Sequence, residues 1–113
     1  MADPMDVGDL KQNAQRASEL LKAMSNEKRL VILCYLAQGE KAVGEMEKLV
    51  GLSQSALSQH LARLRRDGLV KTRRSSQTIY YSLAGGEASA VMETLHSIYC
   101  CAPESKALKV AQA

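Results

Sequence analysis

Phenylalanine and tryptophan are absent from this 113-residue chain, and its only aromatic residues are four tyrosines. Any core must therefore be aliphatic, filled by Leu, Val, Ala and Met. Three cysteines are too few for a disulfide scaffold, and their number is odd. In a reducing compartment they read as buried thiols, metal ligands or redox groups. No stretch approaches the ~20 apolar residues that span a bilayer. The opening M-A-D-P-M-D-V-G-D-L has neither a positive segment nor an apolar run, so no secretory signal is expected and the expected location is cytoplasmic. No nucleophile-base pair, phosphate loop or pair of carboxylates occurs at useful spacing, which argues against an enzyme.

What is present is an apolar content of 46%, enough for one modest core, and an uneven distribution of charge. The net charge is only +3. Residues 1–50 hold seven Lys or Arg against eight Asp or Glu. Residues 51–83 hold six against one, a local net of +5. A basic stripe confined to one third of a small domain is an electrostatic footprint for nucleic acid.

That stripe is built on Leu52 to Leu69. Leu57, Leu61 and Leu64 recur at i, i+4 and i+7, one face of an α-helix. Ser53 stands at the N-cap position and Gly68 at the left-handed stop. The outer face carries Gln54, Ser55, Ser58 and Gln59, followed by Arg65 and Arg66. An ordinary solvated face would carry more Glu and Lys. Amide and hydroxyl groups near the start of a helix, with guanidinium groups behind, suit the reading of base edges while phosphates are held.

The remaining chain frames this helix. Residues 1–8 are expected to be disordered. Asp9 is a plausible cap for a first helix to about Met24, whose Leu10, Ala14, Ala17, Leu21 and Met24 form a narrow apolar stripe. Ser25 and Asn26 cap a second, strongly apolar helix from Glu27 to about Gln38. A third, about Val43 to Val50, directs Met46, Leu49 and Val50 inward. Gly51-Leu52-Ser53 then turns into the fourth, giving a helix-turn-helix unit. After Gly68 the period changes to two, with Val70 and Thr72 on one strand and Ile79, Tyr81 and Leu83 on the next. Arg73, Arg74 and Gln77 lie at or near the basic tip between them. A last helix runs from about Glu87 to Cys100, and 102–113 is expected to be a flexible tail. The expected fold is mainly α with a β-hairpin wing, α-α-α-α-β-β-α, over 9–101. Palindromic DNA needs two copies of such a unit, so a homodimer through the first and last helices is expected.

Three blocks, M-S-N-E-K-R-L-V-I-L, L-S-Q-S-A-L-S-Q-H-L-A-R-L-R-R-D-G-L-V and Q-T-I-Y-Y-S-L, resemble the ArsR/SmtB family of bacterial repressors in order and spacing. The resemblance covers about residues 10–100. It implies a homodimeric winged-helix repressor that releases operator DNA when an inducer binds. Base contacts are expected from Gln54, Ser55, Ser58 and Gln59, and Ser53, the cap, is counted with them among the DNA-binding residues. Phosphate or wing contacts are expected from Arg65, Arg66, Lys71, Arg73, Arg74 and Gln77. His60 serves packing or a phosphate.

The family's metal sites have no clear match here. The segment Lys41-Ala42-Val43-Gly44-Glu45 holds no thiol, and the last helix offers His96 with Glu87 and Glu93, a poor set for zinc. No metal and no cofactor is expected. Cys34 and Cys100 instead resemble the thiol pair of a subgroup that includes sulfide-responsive and biofilm-associated repressors. That resemblance implies persulfide or polysulfide as inducer and a disulfide or polysulfide cross-link that lowers DNA affinity. Cys101 is expected to be dispensable. The alternatives are a metal-responsive repressor and a regulator that displaces another DNA-bound protein.

Overall fold

Aliphatic side chains from every helix converge on one core. Ala23 and Met24, Ile32, Leu33 and Leu36, Met46, Leu57, Leu61 and Leu64, Leu69 and Val70, and Ala88 and Met92 are all buried together. The computed structural model describes residues 7–99. Its elements are α1 (Val7–Met24), α2 (Glu27–Ala37), β1 (Lys41–Ala42), α3 (Val43–Val50), α4 (Gln54–Arg66), β2 (Val70–Ser75), β3 (Thr78–Leu83) and α5 (Glu87–Tyr99). Cys100, Cys101 and the tail 102–113 lie outside the described residues, as do 1–6.

Local chemistry sets most boundaries. The Asn26 side chain accepts from the backbone amides of Lys28 (2.9 Å) and Arg29 (3.1 Å), which starts α2. Gly51 ends α3 at φ 76°, in the left-handed region. Ser53 Oγ accepts from the Ala56 amide at 3.2 Å and starts α4. At the other end of α4, the Leu69 amide donates to Leu64 O and the Gly68 amide to Arg65 O. With Gly68 at φ 78° and Leu64 and Leu69 both buried, this is a Schellman stop with its apolar contact.

Three expectations need correction. The first helix begins at Val7, so Val7 and Gly8 are helical and Asp9 lies within the first turn, where its carbonyl accepts from Asn13 Nδ2 at 3.0 Å. Leu49 is 39% exposed and does not point inward, because Met46 supplies the buried contact of this two-turn helix. Lys41 and Ala42 form a strand: β1 pairs antiparallel with β3 (Lys41 with Tyr81, Ala42 with Tyr80), making a three-stranded sheet in the order β1-β3-β2. The wing therefore has a third, short strand.

The hairpin itself keeps the expected alternation along each strand. Val70 faces Leu83, Thr72 faces Tyr81 and Arg74 faces Ile79. Lys71, Arg73 and Ser75 alternate onto the other face, opposite Ser82, Tyr80 and Thr78. Two residues, Ser76 and Gln77, close the tip, with Ser76 at φ 56°. No helix among the described residues is long and apolar enough to cross a membrane.

Candidate nucleic-acid interface

Helix α4 presents two different surfaces. Leu57, Leu61 and Leu64 are wholly buried, so the helix cannot rotate without emptying the core. Gln54, Ser55, Ser58, Gln59, Arg65 and Arg66 are all exposed. The 3.6-residue period sorts them further. Ser55, Gln59 and Arg66 stand opposite the buried stripe, with Gln54, Ser58 and Arg65 along one flank. Ala62 is also exposed, and by the same period it belongs with the outward set. Its small side chain leaves the middle of this face low, which allows close approach and suits contact with a thymine methyl. The signal for Ala62 was its spacing of four from Ser58.

Ser53 is occupied as the helix cap, so its hydroxyl serves the backbone first. His60 lies on another side of α4 and is half-buried. Burial, and then the nearby positive charge of Arg29, hold its pKa below the usual histidine range. Arg29 is a residue whose role lies beyond the helix pattern. Its Nε donates to Ala23 O at 2.6 Å and its Nη2 to Lys22 O at 3.4 Å, capping the end of α1 with a cation. Burial foremost, and then the positive charge of Arg63, lower its own pKa, while Asp67 opposes them. Arg63 in turn donates from Nε to Asp67 Oδ2 at 2.9 Å, and Arg66 Nε stands 3.9 Å from Oδ1. A charged junction thus joins the end of α1, the start of α2 and the end of α4.

On the wing, Lys71, Arg73, Arg74 and Gln77 are exposed. Lys71 and Arg73 share one face of the sheet, while Arg74 occupies the other. Arg73 is held by a partner 33 residues away: its Nε donates to Glu40 Oε2 at 2.9 Å and its Nη2 to Oε1 at 2.7 Å. The guanidinium lies over the Tyr80 ring, 4.6 Å from its centroid. The Arg73 hydrogen bond depresses the Glu40 carboxyl pKa and, reciprocally, raises that of Arg73.

Cys34 is half-buried on α2 against the core, and its thiol is free. Helices α2 and α5 pack together, but Cys100 falls outside the described residues. His96 is exposed on α5. Among the described residues, no group of three or more His, Cys, Asp or Glu side chains comes together.

A short helix, a glycine turn, a helix with a polar outer face and a basic hairpin define a winged helix-turn-helix DNA-binding regulator. Residues 26–72 match the model of the bacterial regulatory protein arsR family. The transcriptional activator HlyU of Vibrio cholerae is 54% identical over 97 residues, covering 86% of this chain and 90% of that protein. Its reduced structure matches with a TM-score of 0.79, covering 82% of this chain and 98% of that one. The transcriptional repressor BigR from Xylella fastidiosa matches with a TM-score of 0.79 at 38% identity, covering 84% and 97%. A third structure, from Mycobacterium bovis, is described as a homodimeric winged helix-turn-helix DNA-binding domain. It matches with a TM-score of 0.66 at 30% identity, covering 84% of each chain. The chain belongs to the arsR family of bacterial transcriptional regulators.

Proposed function

We propose that this regulator is a cytoplasmic homodimer that binds palindromic operator DNA when its thiols are reduced and leaves it when Cys34 and Cys100 are cross-linked. The exposed face of α4 carries the reading: Gln54, Ser55, Ser58 and Gln59 ahead of Arg65 and Arg66 on a helix fixed by three buried leucines. Amides and hydroxyls address base edges, and Arg65, Arg66, Lys71, Arg73, Arg74 and Gln77 address the backbone. The dimer is supported by apolar side chains left exposed on both terminal helices: Leu10 (61%), Leu21 (56%), Ile98 (47%) and Tyr99 (59%). A related domain is itself homodimeric.

The sensing step is ordinary thiol chemistry. One cysteine thiolate attacks a sulfane sulfur of polysulfide, forming a persulfide and expelling a shorter polysulfide. The second thiol displaces the terminal sulfur as hydrosulfide and closes the disulfide. Two thiols lose two electrons and one sulfane sulfur is reduced. A bridge that retains extra sulfur consumes a further sulfane equivalent. A cross-link between α2 and the segment after α5 ties the core to the dimer face, and small shifts there alter the spacing of two recognition helices. The relatives include both a transcriptional activator and a transcriptional repressor.

One experiment tests this. Reduced protein is treated separately with polysulfide, peroxide and zinc, and intact mass and operator affinity are recorded. Polysulfide is expected to produce a Cys34–Cys100 cross-link and a loss of affinity of about 5–150-fold, the range of an ordinary coupling. An unchanged affinity overturns the sensor, and release by zinc puts a metal-responsive repressor in its place.

A further inference from the structure

Arg73 does not project from the wing. Its guanidinium lies over Tyr80, on the neighbouring strand β3, and ends on Glu40, beside β1 on the far side of the sheet. The Nε–Nη2 edge can take a carboxylate or a phosphate as a two-point fork, and here both donors are used by Glu40. Glu40 is thus a carboxylate where a DNA phosphate oxygen pair would bind. Lys71, on the same face of the sheet, also bears on Glu40 electrostatically.

We infer that Glu40 is an internal competitor for DNA phosphate at Arg73. In the free protein the carboxylate neutralises the guanidinium and keeps it flat against Tyr80. On DNA the fork exchanges Glu40 for a phosphate, and the released carboxylate then repels the backbone. Both effects oppose binding, so Glu40 holds affinity below what the basic wing would give alone. Because phosphates carry no sequence, the restraint falls on cognate and random DNA alike. The inference rests on the DNA-binding reading above.

The test uses the full-length reduced protein and a fluorescein-labelled mixed-sequence duplex long enough for two half-sites, titrated at several KCl concentrations. Glu40→Gln keeps the length and one acceptor of the side chain but removes its charge. It is expected to bind about two- to fivefold more tightly than the parent, as suits an exposed ion pair, with a steeper dependence on salt. Arg73→Ala is expected to bind more weakly. In the double variant the gain from Glu40→Gln should shrink, since no fork is left to release and only the carboxylate's own repulsion is removed. Thermal melts identify any variant with a damaged wing, and for such a variant Arg73→Gln replaces Arg73→Ala. Equal or weaker binding by Glu40→Gln overturns the inference, because Glu40 would then be orienting Arg73. A gain undiminished without Arg73 also overturns it, because the effect would be general charge. A parent protein that binds no duplex at low salt overturns the DNA-binding reading itself.

Discussion

At the scale of single residues, charge and burial assign different tasks to side chains that look alike in the sequence. Arg65 and Arg66 extend the polar face of α4, whereas Arg29 ties α2 to the end of α1 and Arg63 pairs with Asp67 at the end of its own helix. Losing Arg73 should weaken binding to all DNA sequences alike and lower the salt slope by about one, measurable by anisotropy titrations on cognate and random duplexes. A loss confined to the cognate site would contradict a phosphate contact. His60 yields a pH prediction. Its folded pKa is lowered, so the unfolded chain takes up the proton first, at about pH 6.5. Stability should therefore fall as pH drops below that value and level off once the folded histidine also protonates. Thermal melts between about pH 8 and pH 5.5 should show the decline, and His60→Gln should remove its share of it.

At the scale of elements, α4 was the most legible part of the chain. Its leucine period, its serine cap and its glycine stop are all local signals, and each occurs where the residues indicate. Ser53→Ala should cost about 1 kcal/mol of stability, and Gly68→Ala about 1–2 kcal/mol because a Cβ is strained at φ 78°. Denaturant titrations check both. Leu61→Ala should cost more, about 2–5 kcal/mol, since it empties a site at the centre of the core. What escaped the sequence reading was non-local or too short for a period. Two residues cannot display alternation, so β1 is defined only by its partners Tyr80 and Tyr81. Eight residues of α3 give barely two turns, and Leu49 fell on the wrong side of so brief a pattern. The hold of Glu40 on Arg73 is purely tertiary, and nothing near either residue announces it.

At the scale of the whole molecule, function depends on two faces that one chain leaves unfinished. In the proposed function the outward face of α4 meets DNA and the apolar stripe of α1 meets a second copy. Replacing both Leu10 and Leu21 with Glu should leave the core intact, because neither is buried, yet convert the proposed dimer to a monomer by size-exclusion chromatography with light scattering. Operator binding should fall with it, since paired half-sites need two linked readers. Persistence of the dimer would move the interface elsewhere. Cys34→Ser should bind DNA as the parent does but lose its response to polysulfide, read as operator affinity before and after treatment.

The short strand β1 has a further consequence for how this chain tolerates change in length. It joins α2 to α3 on one side and is stitched to β3 on the other, so Gly39 and Glu40 lie in a connection with fixed ends. An added residue there would slip the pairing with Tyr80 and Tyr81 and carry Glu40 away from Arg73. The opposite end of the sheet is governed differently. Ser76 and Gln77 are exposed and close a free tip, so extra residues lengthen the wing without disturbing its base. Natural and engineered variation in the reach of this protein should therefore accumulate at the tip, while the length of the connection over 38–43 stays constant.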